Sequence, residues 1–148
     1  MTASVVALHL GIGSRKPLTK VERVNALLEQ GLEGDCHLGR ARGRRTVLFV
    51  EQETLDRYGL AAGDVREQIT VRGLSLVPLV FGSRLRIGTA TFEVGGLCAP
   101  CERMNELQPG LRQALGDQRG RFMRVVEAGT LAVGDPIAVM PPVEAAGR

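Results

Sequence analysis

The stretch Arg84-Leu85-Arg86-Ile87-Gly88-Thr89-Ala90-Thr91-Phe92-Glu93-Val94 reads as two extended segments turning on a glycine. Polar and apolar side chains alternate from Arg84 to Ile87 and again from Thr89 to Val94. Successive side chains of a strand point to opposite faces, so a period of two marks a half-buried strand, and two such runs around Gly88 predict a hairpin. Similar segments lie on both sides of it. Ser4 to Leu10 is a β-rich opening strand, and Gln68 to Val71 alternates before ending at Arg72-Gly73. Arg121 to Glu127 and Pro136 to Met140 flank turns at Ala128-Gly129 and Val133-Gly134-Asp135. The continuous apolar run Thr46-Val47-Leu48-Phe49-Val50 predicts a buried strand. Gly11 to Lys20 reads as a loop, and Val21 to Leu28 fits either a strand entering a turn or a short helix. Helical pattern is confined to Glu51 to Tyr58, closed by Gly59, and to Cys101 to Leu115, interrupted by Pro109-Gly110. About seven short strands with few short helices predict a mainly β barrel or sandwich. The alternating βα pattern of a doubly wound sheet is not visible. Gly11-Ile12-Gly13 lacks the third glycine and the following helix of a dinucleotide fingerprint.

Composition agrees with one soluble domain. The 148 residues are 44% hydrophobic and 24% charged, which excludes collagen, a disordered chain and a coiled coil. One domain over residues 1–140 is expected, followed by a flexible tail from Pro141 to Arg148. No run reaches the roughly 18 apolar residues of a membrane helix, and Met1 to Leu10 has no positive leader region, so a cytoplasmic location without a membrane partner is expected. The net charge is +3, and all basic residues except Lys16 and Lys20 are arginines. A guanidinium grips phosphate or carboxylate in a planar fork, which suits anion recognition. With one Tyr, four Phe and no Trp the chain lacks the stacking platform of single-strand binders, so nucleic acid is not an expected partner. Three cysteines argue against a disulfide framework and for thiol chemistry, metal ligation or burial.

Three places hold residues able to do chemistry. In Gly31-Leu32-Glu33-Gly34-Asp35-Cys36-His37, extended backbone puts Asp35 and His37 on one face and Cys36 on the other. Asp35 either orients the imidazole and raises its pKa or caps a turn. In Gly95-Gly96-Leu97-Cys98-Ala99-Pro100-Cys101-Glu102-Arg103, two thiols sit between a strand and a helix start. Cys101, at the helix start and near Arg103, is the better thiolate candidate, the alternative being two buried small hydrophobes. Arg40, Arg42, Arg44 and Arg45 form either an anion site or a solvated loop.

Taken in order, these segments resemble the molybdenum-cofactor sulfurase C-terminal domain, MOSC. The resemblance runs through Gly31 to His37, the basic stretch and apolar strand, Gly63 to Ile69, and Arg72-Gly73-Leu74-Ser75-Leu76. It continues in Phe81 to Gly88, Pro100-Cys101 and Glu127 to Asp135, and covers about Ser4 to Val139. It implies a closed, mostly β barrel with a few short helices and a pocket for the molybdenum cofactor, a metal on a pterin dithiolene with a phosphate. It also implies a functional cysteine, matched by Cys101, that acts as metal ligand or as sulfur carrier. On that resemblance Asp35 and His37 line the site and handle protons or hydrogen-bond the cofactor, while Arg40, Arg44, Arg45 and Arg103 are candidates for the pterin phosphate. Glu67 or Gln68 is expected to reach the same rim, both being candidates for the cofactor, with Gln68 standing where the family commonly has asparagine. The implied activity is sulfur transfer to the cofactor or reduction of an N-hydroxylated substrate, with a sulfurtransferase or an electron-donor protein as partner. Neither the N-terminal β domain of the reductases nor the pyridoxal-phosphate domain of full sulfurases is expected here, and no pyridoxal phosphate is expected. Cys98 beside Cys101 opens the option of an internal disulfide. Three other readings compete: a zinc module using Cys36, His37, Cys98 and Cys101, a thiol–disulfide oxidoreductase using Cys98 and Cys101, and a non-catalytic binding barrel. The first is awkward because adjacent Cys36 and His37 point apart, and the second because its usual fold needs βαβ units.

Overall fold

The computed structural model describes residues 2–13, 15–36, 38, 47–98 and 101–142. The expected tail from Val143 onward lies outside the described residues. Eleven strands and three short α-helices follow along the described chain: β1 (Ser4–Leu10), β2 (Thr19–Val21), β3 (Arg23–Leu27), β4 (Gly31–Leu32), β5 (Val47–Glu51), α1 (Gln52–Arg57), β6 (Ile69–Arg72), β7 (Arg84–Ile87), β8 (Ala90–Leu97), α2 (Glu102–Leu107), α3 (Leu111–Leu115), β9 (Arg121–Glu127), β10 (Gly129–Ala132) and β11 (Ile137–Met140). The protein is mainly β with few short helices. The hairpin around Gly88 forms as β7 and β8, with Ile87 opposite Ala90. The ambiguous Val21 to Leu28 segment is a strand over most of its length, and the loop after β1 ends in the short β2.

One sheet holds eight strands in the order β11-β7-β8-β9-β5-β6-β1-β2, and a second holds β10-β3-β4. Strand β5 lies inside the larger sheet, antiparallel to β9 and parallel to β6. Both of its faces are covered. Val47 and Phe49 belong to the main core with Leu8, Ile69, Phe92 and Met123. Leu48 and Val50 belong to a second core with Leu55, Val65, Met104, Leu111 and Leu115, contributed largely by the three helices. Double burial is why this strand reads as unbroken apolar residues instead of alternating. Phe49 meets Phe92 edge to face with ring centroids 5.2 Å apart, and burying one such side chain stabilises by roughly 1.5–3 kcal/mol.

Two expectations are corrected. The sheets are open and no closed barrel forms among the described residues. The reason lies in β1, which pairs with β6 along one edge and gives Leu8, His9 and Leu10 on the other edge to β2. Only its first residues remain for the β11 side, joined by a single bridge from Ser4 to Pro136 and by backbone hydrogen bonds from Val5 to Asp135, Gly134 to Val5 and Ile137 to Ala3. That seam is too short to be a ladder. Second, one β–α–β unit is present, because β5, α1 and β6 form a parallel pair with its helical crossover. Parallel neighbours need such a connection of about a dozen residues or more.

The two sheets meet where the β7–β8 turn lies on β10. Thr89 donates its backbone N–H to the Thr130 carbonyl at 3.0 Å, and Thr130 N–H returns to Thr89 Oγ1 at 2.8 Å. Gly129 faces the Thr89 carbonyl so closely that a Cβ would overlap backbone. Gly129→Ala is therefore expected to lower stability by about 1–3 kcal/mol, as overpacking does, read as a reduced urea midpoint with an unchanged slope.

Candidate functional site

Strand β8 delivers the thiol pair. Cys98 N–H bonds the Gly120 carbonyl at 2.9 Å, and its side chain is half-buried against the second core. Cys101 follows in extended backbone as the residue before α2, and its carbonyl accepts from Met104 N–H at 2.9 Å. It is exposed, and no disulfide joins it to Cys98. Helix α2 is fixed from both sides. Buried Met104 anchors it to the second core, and on its outer face Glu102 accepts from Arg112 of α3 at 2.8 Å.

The opposite side of α2 forms one wall of a cleft of about 530 Å³. Arg103, Met104, Glu106 and Leu107 line this wall, His9 of β1 and the Ala62 to Asp64 turn with Arg66 line the facing one, and Pro17 and Leu18 complete the lining. Arg66 takes a left-handed backbone, φ 65°, and donates to the carbonyls of Lys16 at 2.8 Å and Gly13 at 3.2 Å. Its charge thus rests on neutral acceptors. Across the same edge Arg15 pairs with Glu106 at 3.1 Å. Among the described residues neither Arg66 nor Arg103 has a carboxylate at ion-pair distance, although Asp64 and Glu106 line the same cleft and the Arg103 charge helps hold the Glu106 carboxyl below its ordinary range.

His9 is 7% exposed and its Nδ1 is buried without a partner among the described residues. Burial, aided by nearby Lys20, holds its pKa below the ordinary imidazole value. Its ring lies against Gly63, where a Cβ would stand 2.9 Å from Nε2. Behind Gly63 sits Glu67, fully buried, whose Oε2 accepts from Gly63 N–H at 2.9 Å and Thr70 Oγ1 at 2.6 Å. Its Oε1 has no partner among the described residues. Burial pushes the carboxyl up from its ordinary 4.5, against those hydrogen bonds and the neighbouring Arg119.

Asp35 is buried and knots three segments together. Its Oδ1 accepts from Gly11 N–H at 2.7 Å, and its Oδ2 from Gln68 Nε2 at 3.3 Å. Gln68 in turn accepts Leu48 N–H on Oε1 at 2.8 Å. Cys36 N–H bonds the Gly11 carbonyl at 2.8 Å. The exit of β1, the Gly31 to Cys36 stretch and the start of β5 are therefore held by one carboxylate and one amide.

Of the residues singled out from the sequence, the structure brings Asp35 and Gln68 into contact, sets Glu67 behind the cleft wall, and places Arg103 on the cleft with Cys101 at the head of the same helix. His37, Arg40, Arg42, Arg44 and Arg45 lie outside the described residues. Among the described residues no three His, Cys, Asp or Glu side chains cluster closely enough to hold a metal ion, and no helix is long and apolar enough to cross a membrane. Sequence reasoning passed over His9 and Arg66. His9 stood inside an apolar strand, and Arg66 carried no pattern that sets it apart from the other arginines.

A family model described as MOSC domain matches residues 44–138. Among solved structures the fold is similar to the YuaD protein from Bacillus subtilis, with a TM-score of 0.80 and 21% identity over 97% of this chain and 98% of that one. It is also similar to YiiM from Geobacillus stearothermophilus, TM-score 0.74 and 22% identity, covering 96% of this chain and 75% of that one. YiiM from Escherichia coli gives a TM-score of 0.72 at 18% identity, covering 96% of this chain and 72% of that one. Among curated proteins none matches the chain.

Glu67 generates a pH signature. A carboxyl whose pKa is raised by folding gives stability that is whole below its unfolded value and is lost as pH climbs through the folded value. Urea unfolding of the wild type should therefore lose stability as pH rises above about 4.5, and Glu67→Gln, which keeps an acceptor for Gly63 and Thr70, should lose less over the same window. Parallel pH profiles for the two proteins would contradict this.

Proposed function

Because this chain belongs to the MOSC domain family, we propose that the cleft beside α2 cradles the molybdenum cofactor and that Cys101 is the thiolate that meets it, as sulfur carrier or metal ligand. One observation carries the reading: an exposed thiol heads the helix whose Arg103 lines a cleft together with a second guanidinium, Arg66, neither in a close ion pair among the described residues. The residues fit such a group. Arg66 and Arg103 suit its phosphate, with Arg40, Arg44 and Arg45 as further candidates, and a cleft of about 530 Å³ has the size of a small-molecule site. A soft thiolate suits a high-valent metal or a sulfane sulfur. When bound, the cofactor supplies a redox-active molybdenum centre on its pterin dithiolene.

The chain's own residues then have separable tasks. Arg66 and Arg103 bind the anionic end, while Pro17, Leu18, Met104 and Leu107 cover an apolar body and exclude water. Asp35 and Gln68 fix the chain up to Cys36, and His37 handles protons in this reading. Cys101 stands exposed at the head of the helix that lines the cleft, and in this reading it serves the cofactor and a sulfurtransferase or electron-donor protein.

Two measurements test the proposal. Expression in a host that makes the cofactor should yield protein containing molybdenum and pterin. Arg103→Gln should reduce that content severalfold, and Cys101→Ser should alter the metal's spectroscopic signature. Unchanged content in Arg103→Gln would contradict the cradle, and an unchanged signature in Cys101→Ser would contradict the metal-ligand role and leave Cys101 as sulfur carrier. Independently, on single-cysteine variants at neutral pH, Cys101 should react with a thiol reagent about tenfold faster than Cys36 or Cys98, since it is the exposed one of the three. A faster Cys98 would move the nucleophile.

A further inference from the structure

We propose that His9 is a ligand-contacting residue of the cleft, a neutral imidazole that donates from Nε2 to an oxyanion of the bound molecule. This rests on the cleft being the cofactor's cradle and adds to it a residue outside the arginines and the thiol. The argument is one of hydrogen-bond accounting. A neutral imidazole carries one N–H and one lone pair. Nδ1 is buried with no partner among the described residues, so a proton there would be an unsatisfied buried donor, which folded proteins rarely tolerate. The lone pair therefore sits on Nδ1 and the N–H on Nε2, the nitrogen that lies over Gly63 at the cleft wall.

The surroundings keep this tautomer in place. His9 backbone N–H bonds the Gln68 carbonyl at 2.8 Å, which sets the depth of the ring in the wall. Gly63, with φ 91°, gives the imidazole room that any side chain would take away. Burial and Lys20 oppose a second proton more than Asp64 favours it. A neutral donor is what an anion already facing two guanidiniums can still use, since it adds direction without a further charge that burial would penalise.

The test uses the whole protein and pterin-6-carboxylate, a pterin with an oxyanion, as the probe. Nitrogen NMR of the imidazole should show the proton on Nε2 in the unliganded protein at neutral pH, and titration should move the Nε2 resonance with saturation. His9→Gln, whose amide nitrogen falls near the place of Nε2, should bind the probe within about twofold of wild type. His9→Asn, which places its amide near Nδ1, should bind about tenfold more weakly. A proton found on Nδ1 overturns the proposal by itself, without any variant. Equal binding by wild type and His9→Asn, with Arg103→Gln impaired, overturns the role of His9 and leaves the cradle standing. Absence of saturable binding to the wild type overturns both.

Discussion

Double-sided burial of β5 is the constraint on which the remaining architecture turns. A strand with Val47 and Phe49 in one core and Leu48 and Val50 in another needs apolar cover on both sides. The sheets supply one cover and the helices the other. Its parallel partner β6 can be reached only by a crossover, and that crossover is the segment holding α1 and the Ala62 to Gln68 stretch. One wall of the cleft is thus made by the connection that the buried strand requires. The facing wall, α2, is held by Met104 in the second core under the same strand. Cleft and core are in this sense one construction.

The polar groups near the cleft divide into two kinds. Asp35 and Gln68 hydrogen-bond to backbone and to each other, which joins β1, β5 and the turn after β4. Glu67 and Arg119 are buried with some polar atoms unmatched among the described residues. Such groups contribute little stability after desolvation, and their value lies in fixing one arrangement. Here the arrangement is the Gly63 turn, whose N–H Glu67 holds and against which the His9 ring rests.

Much of this fold is legible in the sequence because it depends on local periodicity. The β7–β8 hairpin, β1, β9 and the apolar β5 each follow from the spacing of apolar residues, and Pro109-Gly110 marks the break between α2 and α3. The strands that escape, β2, β4 and β10, have two to four residues and owe their existence to a partner. Leu131 is the only fully buried side chain of β10, too little for a pattern. The open seam was equally hidden, since it depends on how much of the β1 edge β2 has already taken. At the site, Cys101 and Arg103 were visible from a strand end followed by a helix start. Glu67 and Gln68 were visible only through a family likeness, and nothing local announces that Glu67 is fully buried. His9 was concealed because a histidine in an apolar strand looks like any other core position until its neighbours are known.

The seam between Ser4 and Pro136 has a consequence for the order in which the molecule assembles. It joins segments from nearly opposite ends of the chain, and closing so long a loop costs entropy before any contact repays it. The hairpin β7–β8 and its neighbour β9 lie close in sequence and can form without it. Folding that starts there and reaches β1 last leaves the cleft incomplete until the final step, because His9 belongs to β1. A chain still emerging from the ribosome would hold β1 before β9 or β11 exists to complete the sheet, so the wall that His9 gives the cleft is fixed late in assembly.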